Sequence, residues 1–333
     1  MVRSNYTLDE VRAIYHSPVL ELLYRAATVH REHHSAREVQ VCTLLSIKTG
    51  GCPEDCAYCP QAARYSTDVD VHRLLDVDEV LTKASIAQQN GSTRFCMGAA
   101  WRNVRDNRDF DNVLDMVRGV NSLGMEVCCT LGMLTETQAQ KLKDAGLYAY
   151  NHNLDTSEEY YDEIITTRKY SDRLDTLDHV VKAGISACSG GIIGMGESDD
   201  DRIGMLHTLA NRAVQPESVP VNALVPVAGT PLAAQPRVSV WEMIRMIATA
   251  RILMPNAMVR LSAGRLEMPV SEQALCFIAG ANSIFAGDKL LTTPNPATND
   301  DAAMFDLLGL VPRPANKTSN HVHATIASEG AFA

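Results

Sequence analysis

The chain has 333 residues, 46% hydrophobic and 21% charged, which is ordinary globular usage and enough apolar side chain for a sizeable core. A net charge of −10 and a pI near 5.5 give no basic field for phosphate backbones or anionic lipid, which argues against nucleic-acid and membrane-surface partners. No apolar run approaches the roughly 20 residues of a bilayer helix, and Arg3, Asp9, Glu10 and Arg12 stand near the start, so a cytoplasmic location is expected.

A helical extension over residues 1–38 comes first. Thr7 with Glu10 reads as a capping box, and Ser17-Pro18 reads as N-cap and first helical residue before Val19, Leu20, Leu22 and Leu23, in helices that cover one end of the core. From about residue 39 amphipathic helices stop at a glycine and a short apolar strand follows at once. Gly91 precedes Thr93–Cys96, Gly124 precedes Met125–Cys128, Gly146 precedes Leu147–Tyr150, and Gly184 precedes Ile185–Cys188, each glycine standing where a helix C-terminus wants one. With Val41–Ile47, Val219–Val225, Met258–Leu261 and Ser283–Phe285 there are eight candidate strands, which favours an α/β fold of the (β/α)8 TIM-barrel type over residues 39–313. An open doubly wound sheet is the rival, because periodicity does not reveal closure. Residues 314–333 read as a polar, poorly ordered tail.

Nine cysteines are too few, too irregularly placed and odd in number for a disulfide scaffold, so reduced thiols serving metal are expected. After the first strand, Thr49-Gly50-Gly51-Cys52-Pro53-Glu54-Asp55-Cys56-Ala57-Tyr58-Cys59-Pro60 brings three thiols into one tight loop. A structural zinc site closes with four ligands, and no fourth Cys or His lies nearby. A cubane on three thiolates leaves one iron open to a small molecule, and the loop follows a strand's C-terminal end, where barrels do chemistry. Zinc is the minor rival.

Cys96, Cys128 and Cys188 fall in or at the ends of three different strands and would meet on barrel closure. One strand cysteine is usually a small core residue, whereas three at corresponding places suggest a ligand set. Cys129 should face the opposite way, toward the helix layer. Cys42 shares a strand face with Leu44 and Ser46 and is read as a core residue near the second set, without a ligand role; Cys276 is given no role.

Asn151, Asn153 and Asp155 recur every second residue, so one face carries three polar side chains, expensive on a core-facing strand unless they bind something. A turn with Asp155 or Ser157 as helix cap is the alternative. Met97-Gly98-Ala99-Ala100 is small enough to let backbone approach a ligand. Ser189-Gly190-Gly191-Ile192-Ile193-Gly194-Met195-Gly196-Glu197 lacks the ending of a phosphate loop and reads as a cofactor-edge loop. Thr292 and Thr293 could receive a carboxylate or serve a turn. His152 reads as a hydrogen-bonding neighbour rather than a metal ligand.

The Cys52–Cys59 loop is the signature of the radical S-adenosylmethionine superfamily, and Ser46-Ile47-Lys48-Thr49-Gly50-Gly51-Cys52-Pro53-Glu54-Asp55-Cys56 resembles the biotin synthase family, a likeness that runs through nearly all of residues 40–310. The resemblance implies a [4Fe-4S] cluster on Cys52, Cys56 and Cys59 that chelates and cleaves S-adenosylmethionine. It implies a [2Fe-2S] cluster on Cys96, Cys128, Cys188 and Arg260, the last within Val259-Arg260-Leu261-Ser262-Ala263-Gly264-Arg265, and radical sulfur insertion into dethiobiotin. Physical chemistry alone would not choose Arg260, because guanidinium has no acceptor while protonated. Further implied are S-adenosylmethionine contacts from Tyr58, Ala99, Ala100, Asn153, Asp155 and Ile192, and substrate contacts from Asn151, Asn222, Thr292 and Thr293. The family also implies a homodimer, a one-electron donor such as flavodoxin, and help from iron-sulfur cluster assembly proteins.

Overall fold

The computed structural model describes residues 3–315. The tail reading therefore falls, beyond Pro314 and Ala315, outside the described residues. Helices α1 (Leu8–Tyr15) and α2 (Val19–His33) lead into β1 (Glu38–Lys48), after which strands and helices alternate. They run α3 (Val77–Gln89), β2 (Arg94–Ala99), α4 (Arg108–Ser122), β3 (Glu126–Thr130), α5 (Glu136–Asp144), β4 (Ala149–Asn151), α6 (Tyr161–Ile164) and α7 (Tyr170–Lys182). The second half holds β5 (Ser186–Cys188), β6 (Gly191–Ile193), α8 (Asp199–Ala210), β7 (Ser218–Ala223), α9 (Val240–Leu253), β8 (Met258–Leu261), α10 (Val270–Ile278), β9 (Ser283–Ala286), α11 (Thr298–Leu308) and the short β10 (Val311–Pro312).

The main sheet runs β1-β2-β3-β4-β5-β7-β8-β9, all parallel, and β9 pairs back to β1 through Gln40↔Ser283 to Thr43↔Ala286. That pairing closes the barrel and removes the open sheet as an alternative. Two short strands went unread in the sequence: β10 adds to the start of β1, and β6, inside the expected cofactor-edge loop, pairs with β7. Gly190 explains the second, since a Cβ there would stand 2.0 Å from the Pro220 carbonyl oxygen, so only glycine lets the chain pass. The four helix-stopping glycines sit at positive φ between 73° and 95°, one residue past their helix caps, so the repeat that marked the strands has a backbone cause.

At the N-terminus the Thr7–Glu10 capping box forms, but the next helix differs from expectation. Pro18 itself is the N-cap of α2, and the Ser17 hydroxyl instead donates back to the Ala13 carbonyl, ending the preceding turn. Nor do the two helices cover one end of the core. They pack along α8 and α9 of the helix layer, with Arg12 reaching Asp200 and Arg245 reaching the Tyr15 carbonyl; α2 also touches α10, and His34 at its end contacts the Pro255 carbonyl.

The core divides in two. The large cluster lies between strands and helices and contains Cys129 and Cys276, as strand alternation required of Cys129. A small separate cluster inside the barrel holds Cys42, Cys96, Cys128, Ala149 and Phe285. Beneath it, at the N-terminal ends of the strands, buried Arg94 bonds Glu126 at 2.7 Å and Glu217 at 2.9 Å, while Gln40 donates to Glu126 and accepts from Arg260. No helix among the described residues is long and apolar enough to cross a membrane.

Candidate active site

One cavity of about 320 Å³ opens at the C-terminal ends of the strands, the side where barrels hold their ligands. Its wall takes Cys52, Cys56 and Cys59 at the mouth and Cys96, Cys128 and Arg260 deeper down. Tyr58, Ala99, Ala100, Asn153, Asp155 and Ile192 line it, as do Asn151, Asn222, Thr292 and Thr293. Of the expected cluster, cofactor and substrate residues only Cys188 does not face the cavity; it lies buried behind Asn151 and Arg260, which reach its sulfur at 3.3 and 3.8 Å.

The three-cysteine loop is held from both sides. Gly50 and Gly51 at φ 72° and 64° make the turn, the Cys52 amide donates to the Gln61 carbonyl at 2.9 Å, and the Cys59 amide to the Cys56 carbonyl at 2.9 Å. The Asp55 carboxylate accepts from the amides of Thr166 and Thr167 at 3.0 and 3.1 Å, so the loop is pinned to the segment before α7. Burial works against the Asp55 charge, but the Thr166 and Thr167 donors outweigh it and hold the group at about 2. Burial pushes all three thiols upward, Cys59 to about 12, with the nearby Cys56 adding to the Cys59 shift. A bound cation reverses that logic by stabilising the thiolates.

Among the described residues no three His, Cys, Asp or Glu side chains converge tightly enough to hold a single metal ion. Three thiols from one loop at one cavity mouth suit a cluster that leaves one iron open to a small molecule.

Asp155 is the one described non-glycine residue at positive φ, 70°, a conformation that costs energy unless its surroundings impose it. They do: its carboxylate accepts from the Tyr58 hydroxyl at 2.7 Å and from the Arg173 guanidinium, and its peptide bridges Gly191. The helix-cap alternative for Asp155 fails, since that side chain faces the cavity; the Ser157 hydroxyl accepts from the Tyr160 amide and donates to Asp201. Asn151 spans the inner wall, its Nδ2 donating to Asn153 at 2.9 Å and to Cys188 sulfur, its Oδ1 accepting from Thr130. Asn222 donates to the Gly191 carbonyl at 2.9 Å.

Two readings need correction, and two residues went unread. Gly98 faces the Leu291 side chain, which a Cβ would meet at 2.5 Å, so it makes room for protein rather than a ligand; Ala99 and Ala100 are the small residues on the cavity. His152 is buried with its Nε2 lacking a partner, and burial, aided by Arg173 and Arg168, holds its pKa well below the usual value, so the ring is neutral. Its peptide does the bonding, donating to Cys188 and accepting from Ser189. Finally, Arg168 and Arg173 were missed. Arg173 shares the buried face of α7 with Tyr170, Leu177 and Val180, and a cation at that helical spacing was the available signal. Arg168 places Nη2 3.9 Å from Cys56 sulfur and leaves Nε without a partner, with Glu54 4.0 Å away.

In the inner set the thiols interact in the order Cys42, Cys96, Cys128, Cys188. Burial pushes the Cys42 thiol up, but Cys96 and the Arg260 and Arg94 guanidiniums hold it at about 7; Cys188 and Cys96 hold Cys128 well below the usual thiol value. Cys96 and Cys188 are shifted upward, chiefly by their contact with Cys128.

The Radical SAM superfamily model matches residues 46–209, and the Biotin and Thiamin Synthesis associated domain matches residues 220–311. The chain is 72% identical over 319 residues to biotin synthase of Cytophaga hutchinsonii, covering 96% of this chain and 95% of that one. It is 61% identical over 331 residues to biotin synthase of Christiangramia forsetii, covering 99% and 91%. Among solved structures methylornithine synthase superposes with a TM-score of 0.78 at 18% identity, over 93% of this chain and 94% of that one, a likeness of fold. Membership of the superfamily implies S-adenosylmethionine and a [4Fe-4S] cluster. With two thiol sets on one cavity and near-complete coverage at these identities, the chain belongs to the biotin synthase family of radical S-adenosylmethionine enzymes.

Proposed function

We propose that this enzyme inserts sulfur between two saturated carbons of dethiobiotin, giving biotin. The observation that carries the reading is one cavity of the closed barrel with thiols at two depths, Cys52, Cys56 and Cys59 at its mouth and Cys96 and Cys128 further in. Loss of hydrogen from an unactivated carbon lies beyond any side-chain acid or base, so cofactors supply the hard step. When bound, the [4Fe-4S] cluster supplies the electron that cleaves S-adenosylmethionine, and a [2Fe-2S] cluster on the inner set supplies the sulfur atom. Cys52, Cys56 and Cys59 hold the first; Cys96, Cys128 and Cys188, with Arg260 of the family pattern, enclose the second.

The remaining residues bind and orient. Asn153 and Asp155 receive the ribose hydroxyls of S-adenosylmethionine beside Tyr58, Ala99 and Ala100, and Ile192 packs on the adenine. Asn151 and Asn222 hold the ureido ring of dethiobiotin between the two thiol sets, and Thr292 and Thr293 receive its carboxylate. The barrel wall keeps water from the reacting carbons. Two hydrogen removals consume two S-adenosylmethionine molecules, each needing one electron from a donor such as flavodoxin, and the spent sulfur requires cluster assembly proteins for renewal. The enzyme works in the cytoplasm as a homodimer.

The test is an anaerobic assay of reconstituted protein with reductant, S-adenosylmethionine and dethiobiotin, read by mass spectrometry. Biotin and 5′-deoxyadenosine together support the reading. Deoxyadenosine without biotin, with both clusters verified, overturns the substrate.

A further inference from the structure

The loop that carries Cys52, Cys56 and Cys59 lies against the segment between α6 and α7. The Ala57 amide donates to the Ile164 carbonyl at 3.0 Å, and Thr166 and Thr167 bind Asp55, so residues 164–167 run beside the loop. Arg168 comes next, just before Lys169 caps α7, and its side chain lines the cavity with 9% of its surface exposed. Among the described residues its guanidinium makes one hydrogen bond, from Nη2 to Cys56 sulfur at 3.9 Å, and the buried Nε makes none.

The other charges at the loop are better matched. Arg64 pairs with Asp55 at 3.2 Å, and Arg173 is engaged by Asp155, the Tyr161 hydroxyl and the Asn153 carbonyl. Glu54 does not claim Arg168 for itself: its Oε1 stands 4.0 Å from Arg168 Nε and 3.5 Å from Arg102 Nε, and its Oε2 accepts from the Thr167 hydroxyl. Lys48 adds a further cation, its Nζ donating to the carbonyls of Gly50 and Ala100. Five cations thus meet three carboxylates at one loop, in a chain whose net charge is −10. Burying a guanidinium with most of its donors unspent is costly unless a negative group completes the site. A cubane on three thiolates is such a group, and its reduction potential is set by the charge around it and by hydrogen bonds to its sulfurs.

We propose that Arg168 sets the reduction potential of the outer cluster, raising it through the N–H donated to Cys56 sulfur and through its buried positive charge. An external one-electron donor supplies the electron; no bond forms or breaks, and the cluster's negative charge grows by one. A cation in a site poor in water favours that more negative form. Arg168 acts through Cys56 and holds neither iron nor substrate. This rests on the reading of Cys52, Cys56 and Cys59 as the cubane's ligands and is independent of the substrate.

The test reconstitutes the full chain anaerobically and titrates it with dithionite and redox mediators in the absence of S-adenosylmethionine. Electron paramagnetic resonance reads the reduced cubane, and iron and sulfide content verifies the cluster in each protein. Arg168→Met should keep the cubane but shift its reduced-to-oxidised ratio at fixed ambient potential about tenfold toward the oxidised form, a fall of about 59 mV for one electron. Arg168→Lys retains the charge and should recover most of that fall. Arg64→Met removes an exposed cation from the same loop and should move the potential far less, because water and salt screen it. An intact cubane whose potential is unmoved in Arg168→Met overturns the proposal. So does an equal fall in Arg64→Met, which would assign the effect to net charge rather than to the contact with Cys56. If Arg168→Met does not hold the cubane, Arg168→Gln takes its place, keeping an N–H donor without the charge, and an unmoved potential there overturns the proposal too. An unsubstituted protein that takes up no cubane overturns the reading of the outer loop, and this proposal with it.

Discussion

The two thiol sets are built in opposite ways. The outer three come from one short loop whose turn is set by Gly50 and Gly51, so their mutual spacing is local even though Asp55 ties the loop to Thr166 and Thr167. The inner set takes one side chain from each of several strands and exists only because β9 pairs with β1. A local site can fail alone, whereas a site made by closure shares its fate with the sheet. This difference sets what each substitution should do.

The largest effect should come at the mouth. Cys56→Ala removes one of three cluster thiolates from a loop that does not support the sheet, so both 5′-deoxyadenosine and biotin should fall below detection while the inner cluster's absorption persists. Product analysis beside the visible spectrum checks this; loss of both clusters together would mean that the sets are not independent. Cys188→Ala is the mirror image, with biotin formation and [2Fe-2S] absorption lost and the cubane kept. Biotin formed at the unsubstituted rate would sink the inner set as sulfur donor.

Beneath the inner set the comparison becomes one of stability. Arg94→Met leaves Glu126, almost fully buried, and Glu217 without their shared guanidinium, and breaking such a pair costs about 3–5 kcal/mol, with the lower part of that range expected because Glu217 keeps some contact with water. Arg12→Met breaks exposed pairs with Asp200 and Asp9 and should leave the midpoint almost unmoved. Urea unfolding of the cluster-free proteins measures both; equal midpoints would deny the floor its role in holding the barrel.

The same contrast governs what the sequence revealed. The outer loop could be read whole because its spacing is its geometry. The strands were legible through the glycines that end the helices, since positive φ is a local demand that few other residues meet. Alternation along β1 correctly turned Cys42 to the inner core beside Cys96 and Cys128, yet it says nothing about the partner across a closed barrel, and only the structure shows Arg260, 218 residues away, touching it. Arg173 and Arg168 escaped for the same reason: their partners Asp155 and Cys56 are 18 and 112 positions off. β6 was hidden because three residues framed by glycines read as a loop, and only the approach of Pro220 shows why the glycines are there.

A pH effect isolates the anchor of the outer loop. Asp55 titrates at about 2 in the folded chain, below its ordinary 3.8, because the Thr166 and Thr167 donors outweigh its burial. A carboxylate whose pKa is depressed by folding adds stability that is fully present above the ordinary value and is lost as pH falls through the folded one. Stability tied to Asp55 should therefore decline between about pH 4 and pH 2. A side-chain amide does not titrate in this range, so Asp55→Asn should flatten that part of the curve while lowering stability at neutral pH, where the carboxylate no longer accepts from Thr166 and Thr167. Urea midpoints of both proteins across this window make the comparison. An unchanged acid slope would mean that the loop is held by its own turns, with the tie to the segment before α7 contributing nothing, and the outer site would then be even more local than its hydrogen bonds suggest.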